Sequence, residues 1–246
     1  MAAEYDVQNK ANLVKKHDKL VSAGRDILAA RYGAALADTL IGESLAEFEK
    51  LIPELPDIGG EKNPLNDNLI FSASALAFYR AMMRHGKTVY ETGEILYRTM
   101  EVWVRRYPRW LRRVMGWYYL SKFNQRGVRQ KAAISQQRRY PGDWVREYVE
   151  GDGHTFVWGT NYAECGIVKF LHSQGADELA PYLCLTDYAL FGALGIDLER
   201  TTTLAEGGPR CDFRLKKGPA TRSGWPPPWP EPQEEESDPA TDHPQA

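Results

Sequence analysis

The sequence predicts an α+β fold: a helical N-terminal half packed on a small, mainly antiparallel sheet with two further helices, followed by a disordered C-terminal tail. Three observations predict it. Apolar residues recur at helical spacing through much of the first half of the chain. After Pro141-Gly142 the hydrophobic period changes to two, as in half-buried strands. Residues 219–246 contain eight prolines, a composition that favours disorder.

The N-terminal segment, residues 1–65, is predicted to be helical over residues 6–52 and then to form a proline- and glycine-rich loop. Apolar residues lie close to helical spacing in the helical part, and Gly24 and Gly33 are positions where a helix can break. We expect this segment to pack with residues 66–217 as one domain.

Two more helices are predicted in the next part of the chain. Residues 66–84 are mostly apolar and indicate a buried helix that ends at His85-Gly86. Thr88 and Glu91 have the spacing of a capping box, which predicts the start of the following helix.

The stretch from residue 98 to residue 146 is strongly basic, with 13 Lys or Arg and only two acidic residues. Three tryptophans recur in it at intervals of seven residues: Trp103, Trp110 and Trp117. One interpretation is a helix whose aromatic side packs in the core while its arginines stay in water. Another is a surface that contacts an anionic membrane or a nucleic acid. A third is that the arginines pair with the acidic C-terminal tail.

The second half is predicted to contain short strands and two helices. Gly151-Asp152-Gly153 lies between two alternating segments and indicates a hairpin. The predicted order is strand 144–150, strand 155–161, helix 163–174, helix 177–194, strand 198–205 and strand 211–215. From residue 218 to residue 246 we expect a disordered tail of polyproline character, which serves as a linker or a solubility segment.

Composition narrows the classes of function. The 31 Lys and Arg nearly balance the 33 Asp and Glu, so no global field favours nucleic acid, which we do not expect as a partner. No apolar run approaches the roughly 20 residues of a membrane span. The N-terminus lacks the apolar core of a signal peptide, and three cysteines do not suit a secreted disulfide framework. These features predict a cytoplasmic protein and leave its oligomeric state open.

Cys165 is the first candidate site residue. It follows a predicted strand and opens a predicted helix in the segment NYAECGI. Unpaired backbone N–H groups and the helix dipole favour a thiolate there, whereas the neighbouring Glu164 opposes it. The alternative is a small buried residue that packs the helix on the sheet.

Asp187 is the second candidate. Cys184, Asp187 and Tyr188 lie at i, i+3 and i+4 in LCLTDYALF and share one helix face, flanked by leucines. A carboxylate near an apolar face is costly unless it is paired. We therefore expect Asp187 either to bind a cation such as Arg200 or to serve a site.

Cys211 is the third candidate, in a predicted hairpin around Gly207-Gly208-Pro209. Cys211 and Phe213 should point to one face of the sheet, and Asp212 and Arg214 to the other. The alternative is a buried structural cysteine. The three cysteines, with Asp187 and His172, match no zinc-ligand spacing, so we predict no metal and no cofactor.

Taken together, these segments resemble the L-2-amino-thiazoline-4-carboxylic acid hydrolase family. The resemblance is close over about residues 155–215. It rests on a Glu-Cys pair, a Cys-x-x-Asp in a helix, and a late Arg-Thr…Leu-Ala-x-Gly-Gly…Cys-Asp-Phe hairpin. Here these features fall at Glu164-Cys165, at Cys184 and Asp187, at Arg200-Thr201, and from Leu204 to Phe213.

The resemblance implies a hydrolase that acts on a non-peptide C–N bond of a small cyclic amidine, such as a thiazoline carboxylate. Under this hypothesis Cys165 or Cys211 is the nucleophile and Asp187 the acid/base. Arg200 would hold a substrate carboxylate with a two-point fork. The candidate substrate-binding residues are Asn161, Glu164, Cys184, Tyr188 and Arg200. The alternative is a sensor domain that binds a small molecule or a metal without catalysis.

Overall fold

Four N-terminal helices bury their apolar faces against one another and form the first of two hydrophobic cores. The computed structural model describes residues 9–227. The helices are α1 (Lys10–Ser22), α2 (Arg25–Tyr32), α3 (Ala34–Leu51) and α4 (Asn66–Arg84). The predicted helix 6–52 is interrupted at both glycines, as expected. Gly33 has φ of 87°, and a Cβ on Gly24 would lie 2.4 Å from Thr99 Oγ1.

Three further helices carry the chain to the sheet. Helix α5 (Val89–Arg105) begins with the predicted capping box between Thr88 and Glu91. Helices α6 (Arg109–Leu120) and α7 (Lys122–Ser135) follow. Ser135 at the end of α7 exchanges hydrogen bonds with the backbone of Arg146, which ties α7 to the first strand.

The sheet has four antiparallel strands in the order β1-β2-β4-β3 among the described residues. The strands are β1 (Val145–Glu150), β2 (Trp158–Glu164), β3 (Ile196–Glu199) and β4 (Cys211–Lys217). Tyr162 lies opposite Cys211, and Asn161 lies opposite Asp212. Because side chains alternate along a strand, Tyr162 and Cys211 share one face and Asn161 and Asp212 share the other.

Two helices connect β2 to β3: α8 (Gly166–Ser173) and α9 (Ala180–Leu194). Phe170 and Leu171 of α8 are buried in the first core. Helix α9 packs against α5 and the sheet in the second core, with Tyr188, Phe191, Ile196 and Leu215 buried there. The α+β prediction is therefore confirmed. The predicted strand 198–205 was wrong beyond Glu199, because the chain turns inward at the buried Arg200 and then forms a 3₁₀ turn at Leu204–Glu206.

The predicted start of the tail at residue 218 also needs correction. Thr221 donates two hydrogen bonds to Asp197, and Arg222 donates to the Tyr188 hydroxyl. Trp225 packs on three tyrosine rings at centroid distances of 5.5–6.2 Å: Tyr90, Tyr97 and Tyr182. Residues 218–227 are therefore part of the folded domain, because the Trp225 side chain packs on an apolar surface there. The remainder of the predicted tail, residues 228–246, lies outside the described residues.

The aromatic residues of the basic stretch divide between core and surface. Trp103 packs at the second core, between the cationic groups of Lys19 and Arg106. Trp110 and Trp117 are exposed, so the interpretation with all the aromatic residues in the core was wrong for both.

No helix within residues 9–227 combines the length and the apolar character that crossing a membrane requires. The cytoplasmic location stays a prediction.

Candidate active site

The three cysteines meet between α8, α9 and the sheet. Cys165 precedes the first residue of α8, Cys184 lies in α9, and Cys211 begins β4. All three are free thiols. The ionisation of Cys184 responds to Arg200, Cys165, Asp187 and Cys211, which places the five groups within electrostatic range of one another. Residues separated by up to 46 positions thus share one region of the fold.

Hydrogen-bond donors surround the sulfur of Cys165. The backbone N–H groups of Ile167 and Val168 and the side chain of Trp144 all act on it. Burial nevertheless raises the pKa of Cys165, and these donors only oppose that shift. The donors expected at the start of a helix are present, but the thiolate expected near neutral pH is not favoured, because the desolvation of the sulfur is the larger effect.

Arg200 fixes the position of Asp187. Its guanidinium donates to Asp187 Oδ2 at 3.0 Å and to the carbonyl of Cys184 at 2.9 Å. The Arg200 side chain is 0% exposed, whereas Asp187 keeps 32% of its side-chain surface exposed. The rings of Tyr188 and Phe213 lie over the guanidinium at 5.2 and 5.0 Å.

Asp187 is accessible but largely surrounded by protein. Burial raises its pKa, and the nearby charge of Arg200 and its hydrogen bond oppose that shift. Asp187 therefore binds Arg200, as expected, and keeps part of its side chain open to solvent. Its role in a site stays a prediction.

A short loop places Arg200 at this depth. The carboxylate of Asp212 accepts hydrogen bonds from the backbone N–H groups of Thr201 and Thr202 at 2.9 and 2.8 Å and from the Thr201 hydroxyl at 2.6 Å. Gly208 lies against the same loop, where a Cβ would approach Thr202 Oγ1 to 2.0 Å. The Arg-Thr and Gly-Gly parts of the sequence motif thus form one unit that carries the guanidinium.

Cys211 is more deeply buried than the other two cysteines. Its side chain is in the interior, whereas Cys165 and Cys184 are half-buried. The backbone N–H of Leu204 donates to Cys211 Sγ at 3.2 Å, and burial raises the pKa of Cys211 to about 11. The sulfur of Cys211 therefore serves as an acceptor inside the loop.

The sheet contributes aromatic and basic side chains that the sequence motifs did not indicate. Arg146 donates to the Tyr162 hydroxyl at 3.2 Å. Burial raises the pKa of Tyr162, and Asp187 and Cys165 add to this shift, so the phenol lies near both groups. Burial raises the pKa of Tyr119, and the nearby Tyr162 and Asp187 add to this shift. The register of β2 against β4 places Tyr162 opposite Cys211. The sequence does not give this register, so Tyr162 could not be named from it.

Four predicted substrate-binding residues are placed differently from the expectation. Asn161 points to the sheet face opposite the cysteines, and Glu164 forms ion pairs with Arg138 and Lys169. Arg200 has no exposed surface, so a substrate carboxylate cannot reach it without displacing Asp187. Tyr188 is buried beside Arg222. Of the predicted set, Cys184 is half-buried and lies within electrostatic range of Cys165 and Asp187.

No group of three or more His, Cys, Asp or Glu side chains within residues 9–227 is arranged to hold a metal ion. A separate surface groove of about 860 Å³ lies between α5, α6 and residues 217–223, and the three cysteines do not line it.

A family model described as L-2-amino-thiazoline-4-carboxylic acid hydrolase matches residues 67–215. The chain belongs to this family. The match confirms the resemblance seen in residues 155–215 and includes helices α4 to α7, of which residues 66–104 resemble the family only in their pattern. Neither the curated proteins nor the solved structures contain a significant match to the chain. The family name implies hydrolase activity.

Proposed function

We propose that this member of the L-2-amino-thiazoline-4-carboxylic acid hydrolase family hydrolyses a small cyclic amidine of the thiazoline-carboxylate type. The reaction acts on a carbon–nitrogen bond that is not a peptide bond. The observation that carries the proposal is the partly exposed carboxylate of Asp187, which is held by the fully buried Arg200 within electrostatic range of the half-buried Cys165. Nucleophile, acid/base and positioning cation are the groups that such a reaction requires.

Exposure favours Cys165 over Cys211 as the nucleophile. Cys165 is half-buried, whereas Cys211 is buried and its sulfur accepts a hydrogen bond from the backbone N–H of Leu204. The donors around Cys165 also provide partial compensation for charge that develops on its sulfur during attack.

Asp187 supplies the acid/base chemistry in this proposal. Because the pKa of Cys165 is raised, its thiol is protonated at rest and needs a base. The pKa of Asp187 is also raised, which makes its carboxylate a better proton acceptor than an ordinary aspartate. Arg200 acts as a positioning residue because it contacts Asp187 and is itself fully buried.

The reaction adds one water to the substrate in two stages. The substrate enters as the protonated amidinium. The Cys165 sulfur bonds to its carbon as the thiol proton passes to Asp187, and the C=N electron pair moves to nitrogen. That nitrogen pair then re-forms the C=N bond and breaks one ring bond at the carbon, and Asp187 gives its proton to the leaving ring atom. Water loses a proton to Asp187 as it attacks the same carbon; the C–S bond to Cys165 breaks, Asp187 returns the proton to the thiol, and the new hydroxyl loses its proton to solvent as the C=O bond forms.

We propose the pair of Arg146 and Tyr162 as the contact for a substrate carboxylate, in place of Arg200. Tyr162 lies near Asp187 and Cys165, and Arg146 donates to its hydroxyl; the phenol and the guanidinium are both hydrogen-bond donors. Cys184 is half-buried and lies within electrostatic range of Asp187 and Cys165. We assign Asn161 and Glu164 no direct contact with substrate.

The test is turnover of 2-amino-thiazoline-4-carboxylate, followed by loss of the ring absorbance and by mass detection of a product heavier by one water. We expect Cys165→Ser and Asp187→Asn each to lower kcat at least about a hundredfold. Cys211→Ser is the matched control, since it changes a thiol of the same cluster, and we expect it to retain turnover within a few-fold.

Each other outcome has a defined meaning. Full activity of Cys165→Ser together with loss in Asp187→Asn would replace the thiol by a water that Asp187 activates. Tight binding of the thiazoline without product from the wild type would favour the non-catalytic sensor.

The pH profile gives an independent check on Asp187. Since the carboxylate form accepts the proton, kcat/KM should rise with pH through the raised pKa of Asp187, above the range of an ordinary aspartate. A profile that is flat across the acidic range, measured at a pH where the fold is intact, would contradict this role.

A further inference from the structure

Helix α6 presents an apolar face to solvent. Trp110, Val114 and Trp117 lie at i, i+4 and i+7 and therefore share one side of the helix. Trp110 is 66% exposed and Trp117 is 72% exposed. The side of a surface helix that faces water normally carries polar groups, so this arrangement is reversed.

The apolar face continues into the first turn of α7. Phe123 is 73% exposed, and its ring lies 6.2 Å from that of Tyr118. Met115 adds a further exposed apolar side chain. A continuous exposed surface with this many aromatic groups marks an interaction site more often than an ordinary surface.

Contacts on the inner side of α6 hold the helix in this orientation. Gly116 packs so closely that a Cβ there would lie 2.3 Å from the carbonyl oxygen of Leu194. Arg112 donates to the carbonyl of Ala193 at 2.9 Å. The apolar face therefore cannot turn into the core without breaking the contact between α6 and the end of α9.

Positive charge surrounds this face. Residues 102–142 contain eleven Lys or Arg and no Asp or Glu. On one flank, a groove of about 860 Å³ is lined by basic side chains: Arg105, Arg109, Arg112, Arg113 and Lys217. Glu101 pairs with Arg105, but among the described residues no acidic group forms an ion pair with Arg109 or Arg113.

We infer that α6 and the start of α7 form a peripheral binding face for an anionic lipid bilayer. Trp110, Trp117 and Phe123 would enter the interface between headgroups and acyl chains, and Arg109 and Arg113 would contact lipid phosphates. Exposed aromatic residues on a helix that is bordered by arginines are the combination that such interfacial helices use.

The charges argue against two other occupants. A second copy of the chain on the same face would bring the guanidinium groups of Arg109 and Arg113 close to those of the other copy, which is unfavourable. A nucleic acid would match the arginines, but Val114 and Met115 at the exposed surface offer it neither charge nor stacking.

The experiment is cosedimentation of the full chain with vesicles of neutral phosphatidylcholine and with vesicles that also contain anionic phosphatidylserine. We expect binding to the anionic vesicles that weakens as salt is raised. Trp110→Ala/Trp117→Ala should weaken it at least about tenfold. Arg109→Gln/Arg113→Gln should weaken it roughly thirty-fold, because each positive charge near an anionic surface contributes about 1 kcal/mol, or about fivefold in affinity.

Matched variants control for general losses of apolar surface and charge. Met83→Ala removes an exposed apolar side chain on α4, and Lys15→Gln/Lys62→Gln removes two exposed positive charges elsewhere. We expect both controls to bind like the wild type, and circular dichroism should show the same fold in every variant.

Three outcomes would overturn the inference. The first is no sedimentation with anionic vesicles at low salt. The second is vesicle binding that the controls reduce as much as the α6 variants do. The third is a chain that does not bind vesicles but instead binds an oligonucleotide, or forms a dimer that Trp110→Ala/Trp117→Ala abolishes.

Discussion

Two polar pairs of this protein differ in their surroundings: one is sealed in the N-terminal core, and the other lies in the candidate active site. In the N-terminal core, His17 Nε2 and Ser44 Oγ are 2.9 Å apart, and the His17 ring stacks on Phe48. In the C-terminal half, Arg200 donates to Asp187 at 3.0 Å. Burial shifts the pKa of the titratable group toward its neutral form in both places: it lowers that of His17 and raises that of Asp187.

The difference between the pairs lies in access and in charge. His17 and Ser44 are sealed in the core, and Nδ1 of His17 has no partner within the described part of the chain. Asp187 has a cation as its partner, stays partly exposed and lies near two half-buried thiols. A shifted pKa therefore does not identify a site by itself; the shifted group must also reach a cleft.

Among changes to the two pairs, loss of Arg200 should lower the free energy of unfolding the most. Arg200→Met leaves Asp187 without its cation and the Cys184 carbonyl without its donor. We expect the free energy of unfolding to fall by about 3–5 kcal/mol. Urea unfolding monitored by circular dichroism measures this change.

Arg98→Met is the control for Arg200→Met. Arg98 forms an exposed i,i+4 ion pair with Glu94, so its loss should cost no more than about 0.5 kcal/mol. Equal losses in the two variants would mean that the buried pair contributes no more than a surface pair.

The pH dependence of stability tests the sealed pair. Burial lowers the pKa of His17 from its usual 6.5 to about 4. The His17 ring therefore takes up a proton more readily in the unfolded chain than in the folded one. The stability that neutral His17 contributes is present above pH 6.5 and is lost as pH falls toward 4. The loss should be on the order of 3 kcal/mol.

His17→Gln isolates this contribution from that of the carboxyl groups. The difference in stability between the wild type and the variant should shrink steadily as pH falls through that window. A constant difference would show that His17 titrates alike in the folded and unfolded chains.

A smaller change should separate structure from activity. Ser44→Ala removes the hydroxyl that shares a hydrogen bond with His17, and we expect a loss of about 1–2 kcal/mol in stability. Turnover of the thiazoline substrate should be unchanged, because neither Ser44 nor His17 lies in the candidate active site. A lowered kcat in a folded Ser44→Ala protein would contradict the division into a structural pair and a catalytic pair.

Much of the site could be predicted from local sequence. The motifs indicated the three cysteines and Asp187, and the i, i+3 spacing placed Cys184 and Asp187 on one helix face. Arg200 was correctly named as a partner for Asp187. Its predicted contact with substrate was not supported, because the number of residues between Asp187 and Arg200 does not show which of the two faces the cleft.

The sequence by itself determined the helical half, the period of two in the sheet region, the capping box at Thr88 and the family. These features depend on neighbouring residues or on a motif that is read along the chain. Tertiary structure alone decided the raised pKa of Cys165, the place of Tyr162 beside it, and the exposure of Trp110 and Trp117. Desolvation and exposure depend on atoms that come from distant segments, so no local pattern of residues can fix them.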